Sequence, residues 1–379
     1  MSSIPRCTLI RSTESIQNTD LLPSNLDRSS VVHALIDVYK VHQSLEIIPP
    51  AKIRRAHLLE YHDSGYIDFL LSKDLEKYSK EISVDDDDDN NDNDDNSEYG
   101  EDFEDDLQEF GLEFDCPPFL DLNKYIFNVA GGTLAAAEHL NRDKTDVAIH
   151  WEGGRHHAGR DQASGFCYVN DVVLGILHLQ RKFSTVLYID LDLHHGDGTG
   201  SINEDGKGKG KNFNLNIPLK AGLTDAAFTR IFERIMAKVF NFFSPQAVVV
   251  QCGCDGLSGD PNKIWNLTSE GYIQAINSIV QTKLPLLLVG GGGYSTPDVA
   301  RCWIKITSAI TQPTTKLEND IPPHEYFDLY KPSFELDIAP SVTPDENTDK
   351  YIDEMLLLVD DRYPDDEKEC RSNQESKSA

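Results

Sequence analysis

Val186-Leu-Tyr-Ile189-Asp190-Leu-Asp192-Leu-His194-His195-Gly-Asp197 joins a four-residue apolar run to a string of acids and histidines. The apolar part is short and shows no polar alternation, so it predicts a strand buried on both faces of a parallel sheet. The acids and histidines after it do not suit a core. In extended backbone, residues i and i+2 point to the same side, so Asp192 and His194 can meet a single ligand at the strand's end. Three more runs share the design: Val-Ala-Ile at 147–149, Ala-Val-Val-Val at 247–250 and Leu-Pro-Leu-Leu-Leu-Val at 284–289.

Helical spacing lies between and beyond these runs, over 170–179, 225–242 after Thr224, 268–282 and 297–311, the last with Pro297 in an early turn. Alternating strand and helix predict an α/β fold, mainly a parallel sheet with helices on both faces. The boundaries read as one domain over residues 1–362 and a polar C-terminal tail over 363–379. Residues 85–106 carry 14 acids and no Lys or Arg, so they predict a disordered acidic insertion, either a solvated loop or a dock for a basic partner.

The chain has 379 residues, 39% of them hydrophobic, enough for a sizeable core. Its net charge of −29 argues against direct nucleic-acid binding through phosphate neutralisation. Seven cysteines, mostly in apolar context, fit a reducing compartment and not a disulfide framework. The first residues lack the apolar centre of a signal peptide, and no run is long enough to span a membrane. The expectation is a soluble protein of nucleus or cytoplasm with no membrane association.

In open α/β sheets, ligands bind beyond the carboxyl ends of the strands. Past the first run comes Trp151-Glu-Gly-Gly-Arg-His156-His157, past the second Asp190 to Asp197, past the third Cys252-Gly-Cys-Asp255, and past the fourth Gly290-Gly-Gly-Gly-Tyr294. Asp192, His194 and Asp255 would give three N/O ligands with an open position, the pattern of a catalytic zinc site. Singly, each is as well read as a hydrogen-bonded surface residue; three strand ends agreeing favour the metal. His156 and His157 suit proton transfer, with Asp190 and Asp197 as one carboxylate partner each; packing or metal ligation is the alternative for the pair. Tyr294 can hydrogen-bond a developing oxyanion. Cys252 and Cys254 read as buried thiols, with Cys254 beside Asp255 a spot sensitive to oxidation or metal.

These residues resemble class I zinc-dependent histone deacetylases. The likeness rests on Gly153-Gly-Arg-His156-His157-Ala, Ala163-Ser-Gly165-Phe166-Cys-Tyr-Val-Asn-Asp171, Tyr188-Ile-Asp190-Leu-Asp192-Leu-His194-His195-Gly-Asp197-Gly and Gly290-Gly-Gly-Gly-Tyr294. It implies an arginase/deacetylase-like fold and removal of acetyl groups from lysine. By the resemblance, Asp192, His194 and Asp255 match the zinc ligands, with ferrous iron as the alternative in the cell. His156 and His157 match the acid–base pair and Tyr294 the carbonyl-polarising phenol. Phe166 and Gly165 match the wall of the lysine tunnel, Asp115 the rim carboxylate, and Arg28 an arginine lining an internal cavity behind the metal. The implied partners are acetylated histone tails or other acetylated proteins, and corepressor or chromatin-complex subunits in transcriptional repression.

The chain departs from the family after Gly198. A helix, a strand and an aromatic loop give way to a Gly- and Lys-rich linker, so the monovalent cation site is expected to be incomplete and a second tunnel aromatic is missing. The gap is a true deletion or an exon lost from the sequence. Asn262 stands where the family usually has an apolar tunnel residue. Two rival readings stand beside this one: a pseudoenzyme or scaffold, which keeps the ligands but lacks a complete tunnel, and an acetylpolyamine deacetylase, which needs the same zinc chemistry with a different rim.

Overall fold

The computed structural model describes residues 4–85, 99–195 and 201–364. Among these residues six strands form one all-parallel sheet: β1 Cys7–Ile10, β2 Glu46–Ile48, β3 Val147–His150, β4 Val186–Asp190, β5 Ala247–Gln251 and β6 Leu286–Val289. Their order across the sheet is β2-β1-β3-β6-β5-β4. The four predicted runs are β3 to β6, with Leu284 and Pro285 lying before the last strand. Sequence reading missed β1 and β2.

The alternation of side chains along each strand splits the core between two faces. Leu9, Ile149, Val248, Val250, Leu286 and Leu288 belong to one cluster with helices Arg28–Val38, Asp225–Phe243, Ser269–Val280 and Thr296–Thr311. Ile10, Ala148, Val249, Leu287 and Val289 belong to another, with Ala136 and Leu140 of helix Leu122–Asn141 and Val172 and Leu179 of helix Asp171–Leu179. The far side of helix Leu122–Asn141 enters a third cluster with Tyr66, Ile67 and Leu107. Each fully buried Leu, Ile or Val contributes about 1.5–3 kcal/mol, so the doubly covered central strands carry much of the burial that stabilises the fold.

The helix starts obey their capping residues. Asn170 accepts from the Val173 amide, Thr224 from Ala227 and Thr268 from Glu270. Such caps satisfy backbone donors that the first helical turn leaves orphaned.

Two expectations are corrected at the boundaries. The acidic run is not unstructured throughout: residues 86–98 lie outside the described residues, but Glu101–Glu109 is a helix. Its Phe103 stacks on Tyr99 at 4.7 Å and packs against Tyr78 and Phe69 at 5.4 Å, while Leu107 is buried. An apolar face at helical spacing overrides the acidic composition. At the other end, Tyr363 belongs to the core and not to a tail. It is buried against Phe242, with its hydroxyl donating to the Asn212 carbonyl. Residues 365–379 of the predicted tail lie outside the described residues.

Among the described residues β4 is an edge strand, paired with β5 alone, and Val186, Leu187 and Tyr188 are half-buried. This is the strand beside which the family's missing segment is expected to lie.

Candidate active site

The carboxyl ends of β3, β4, β5 and β6 meet at one rim. β3 leads through Trp151–Arg155 to His156 and His157. β4 ends on Asp190, with Asp192 and His194 just beyond it; Asp255 lies beyond β5 and Tyr294 beyond β6. Close backbone approach permits this convergence. Gly154 has φ +89°, and a Cβ there would lie 2.4 Å from the Gly290 carbonyl oxygen, so no larger residue lets the β3 and β6 loops touch.

Asp192, His194 and Asp255 each offer a ligand atom, all within 4.8 Å of one another. His194 Nδ1 lies 3.1 Å from Asp192 Oδ1 and 2.7 Å from Asp255 Oδ2. Both carboxylates are buried, whereas His194 is exposed, which leaves one side open. Burial opposes charge on Asp192, but His194 and His156 hold it well below the usual carboxylate range. Burial and the Asp192 charge push Asp255 up to about 8, and hydrogen bonds to both carboxylates push His194 up to about 10. Two buried carboxylates thus share protons with one imidazole, and a divalent cation there would favour the ionised carboxylates and the neutral ring that ligate it. His156, His157 and Asp192 form a second group at similar spacing, so the two histidines border the same centre.

His156 Nδ1 lies 2.7 Å from Asp190 Oδ2, the oxygen that also accepts from the Tyr188 hydroxyl. Burial works against charge on His156, but Asp190, then Asp192 and Asp255, hold the imidazolium up to about 9. The His156 and His157 rings stand 4.0 Å apart, and His157 is 6.1 Å from the His194 ring. Asp197, the other expected carboxylate partner, lies outside the described residues.

Tyr294 closes the other side, 6.4 Å from the His194 ring and 5.7 Å from Phe166. Burial, with the charges of Asp192 and Asp255, holds its phenol well above the ordinary range, so it keeps the proton it would donate. Its amide donates to Asp260 Oδ2 at 2.8 Å, while the Asn262 amide donates to the other oxygen at 2.9 Å. At the rim, Asp115 is exposed and accepts from the Gly165 amide at 2.9 Å. Gly165 has φ +53°, and a Cβ there would press on the His157 ring at 2.6 Å.

Arg28 is buried below the centre, donating to the carbonyls of Gly293 at 2.9 Å and Gly291 at 3.0 Å. With Ser29, Trp151, Glu152, Arg155 and Trp303 it lines a small internal cavity. Cys252 and Cys254 are buried thiols, both pushed up by burial, so neither is a ready thiolate.

The structure therefore brings His156, His157, Asp190, Asp192, His194, Asp255, Phe166 and Tyr294 together, with Asp115 and Gly165 at the mouth and Arg28 behind. Sequence reasoning missed several supporting residues. Gln251 donates to Asp192 Oδ2 at 2.8 Å, and Asp171 accepts from the amides of Gly154 and Arg155. Gln251 could have been singled out as the one polar residue that closes the apolar β5 run.

Residues 22–205 and 198–310 match the model of the histone deacetylase domain, two segments that meet where the chain departs from the pattern after Gly198. The chain is 37% identical to histone deacetylase 8 of Xenopus tropicalis, over 92% of this chain and 95% of that one. It is 36% identical to histone deacetylase 8 of Danio rerio, over 92% and 93%. It is also 36% identical to histone deacetylase 1 of Homo sapiens, over 88% of this chain and 69% of that protein.

Proposed function

The chain belongs to the histone deacetylase family, and we propose that it hydrolyses the acetyl amide of N-ε-acetyl-lysine in histones or other nuclear proteins at a zinc ion held by Asp192, His194 and Asp255. The observation that carries this reading is the meeting of those three side chains with His156 and Tyr294 at four strand ends. Bound there, zinc would supply a water with its pKa lowered toward about 7 and an electrophile for the amide carbonyl.

The chain's own groups carry the remaining chemistry. His156, oriented through Nδ1 by Asp190, presents Nε2 toward the metal residues, 3.8 Å from Asp192 Oδ2. In the proposed roles, His156 and His157 take the proton of the attacking water and return one to the leaving lysine amine. Tyr294 donates its phenolic hydrogen bond to the carbonyl oxygen as negative charge develops. Phe166 flanks the acetyl-lysine stem, and Asp115 fixes the substrate backbone at the mouth. Acetate and free lysine are the products.

A catalytically silent scaffold is the weaker reading, because a scaffold has no use for this acid–base and metal constellation. Nuclear residence, a role in transcriptional repression and corepressor partners extend the proposal from the family. The test is hydrolysis of an acetyl-lysine histone peptide by purified protein, with metal content measured on the same sample and acetylpolyamine as a competing substrate. Stoichiometric zinc with no acetate release from the peptide would overturn it, and release from acetylpolyamine alone would favour the polyamine reading.

A further inference from the structure

His156 and His157 sit in the irregular segment 151–170 between β3 and helix Asp171–Leu179, and irregular backbone does not hold a side chain in place by itself. Two adjacent residues at the start of that helix grip the segment on both sides. Asp171, fully buried, accepts from the Gly154 amide at 3.0 Å through Oδ2 and from the Arg155 amide at 2.8 Å through Oδ1. Thr133 donates to Oδ2 from helix Leu122–Asn141, fixing the carboxylate itself. Asn170 Nδ2 donates to the carbonyls of His156 at 3.2 Å and Ala158 at 3.1 Å. The backbone is thus held by its N–H groups just before the tandem histidines and by its C=O groups around them.

Asn170 is itself fixed. Its Oδ1 accepts from the Val173 amide as the helix cap, and its own amide donates to His62 Nε2 at 3.0 Å. His62 Nδ1 lies 3.2 Å from the Arg160 carbonyl, so the ring donates there and accepts from Asn170. Burial, against hydrogen bonds to that loop, brings the His62 imidazole down to about 4, and the neutral ring is the form that can accept.

We infer that Asn170, Asp171 and His62 are positioning residues for deacetylation, forming a clamp from the helix start that sets where His156 and His157 stand over the metal residues. The inference rests on the acid–base roles proposed above for the two histidines. Neither Asn170 nor Asp171 reaches the reacting atoms; each acts through backbone that carries the histidines. A displacement of about 1 Å in a reacting group can lower a rate about 100-fold.

Asn170→Ser separates the clamp from the cap, because serine still caps the helix but lacks the amide donors to His156 and Ala158. Its expected kcat is about 10- to 100-fold lower, with KM within about twofold and zinc content unchanged. Hydrogen–deuterium exchange across 153–160 should quicken while 171–179 stays protected. Unchanged kcat, or kcat and zinc falling together, would overturn the inference. Exchange in the unaltered protein provides a test that needs no variant: free exchange of the Gly154 and Arg155 amides would also overturn it. Failure of the unaltered protein to hydrolyse an acetyl-lysine peptide would sink the functional reading alone, and the exchange measurements would still decide the clamp.

Discussion

Gln251 Nε2 donates to Asp192 Oδ2 at 2.8 Å from the last position of β5, and Gln251 is fully buried. The Gly292 amide reaches the same oxygen at 3.0 Å, and Gln251 Oε1 is engaged by the Gly253 amide at 2.8 Å. The orientation of Asp192 is therefore set from β5 and the β6 loop, and not from β4 alone.

Gln251→Ala should lower zinc affinity about 10- to 100-fold, the usual size for losing a partner that orients a metal ligand. Asp192→Ala and Asp255→Ala should abolish stoichiometric binding. Competition with a chelator measures all three; full affinity in Gln251→Ala would remove Asp192 orientation from its roles.

His157→Ala should keep its zinc and lose activity about 10²- to 10⁴-fold, the range for a positioned acid–base group. Metal analysis beside peptide hydrolysis distinguishes this from ligation. Loss of zinc in the variant would make His157 a ligand instead.

His62 makes a pH prediction whose sign is fixed. Its folded pKa is depressed from 6.5 to about 4, so between these values the unfolded chain binds more protons. The stability His62 contributes is present above about pH 6.5 and lost as pH falls toward 4. At 1.36 kcal/mol per unit, the loss is on the order of 3 kcal/mol. His62→Gln, which cannot titrate, should lose less stability than the unaltered protein between pH 7 and pH 4. Urea unfolding at both pH values gives the difference, and parallel losses would contradict it.

The central fold was legible because β3 to β6 are apolar runs that end in chemistry, and because Asn170, Thr224 and Thr268 cap helices where capping residues are expected. β1, Cys7–Ile10, has the polar Thr8 inside its apolar run, and β2 is three residues, Glu46–Ile48, largely on the surface, so neither offers the unbroken apolar run that marks β3 to β6. The metal residues could be read because Asp192 and His194 have strand spacing. The supports could not: Gln251, Asn170 and Asp171 work through single hydrogen bonds to side chains or backbone that only the tertiary structure brings near. The helix Glu101–Glu109 was hidden because Phe103 and Leu107 find their partners on residues before the acidic run.

That helix limits what can be cut. Removing 86–98 and joining the ends with a short linker should leave the unfolding midpoint within a few degrees. Extending the cut through 106 removes Phe103 from Phe69 and Tyr78 and unmoors Leu107. Leu107→Ala alone should cost about 2–5 kcal/mol. Thermal unfolding of the two deletions compares them directly, and equal midpoints would show that the helix adds nothing.

The open edge of the sheet can be filled. Among the described residues β4 has a hydrogen-bonded neighbour only in β5, and its first three residues are half-buried. Placing the corresponding segment of the Xenopus tropicalis relative between Gly198 and Thr199 would give that edge a partner if the segment pairs as the resemblance implies. Each net hydrogen bond is worth about 0.5–1.5 kcal/mol, and covering the half-buried side chains adds to it, so the extended protein should be several kcal/mol more stable. Zinc content should not change, because Asp192 is held by Gln251 and Gly292, and Asp255 by the Leu193 amide at 2.9 Å. KM for an acetyl-lysine peptide should fall, because the segment restores the second aromatic wall that the resemblance assigns to the tunnel. Urea unfolding, metal analysis and peptide kinetics on both proteins separate the three effects. A rise in zinc content would mean that the edge strand, and not β5 and β6, limits the metal residues; equal stability would mean that β4 needs no neighbour.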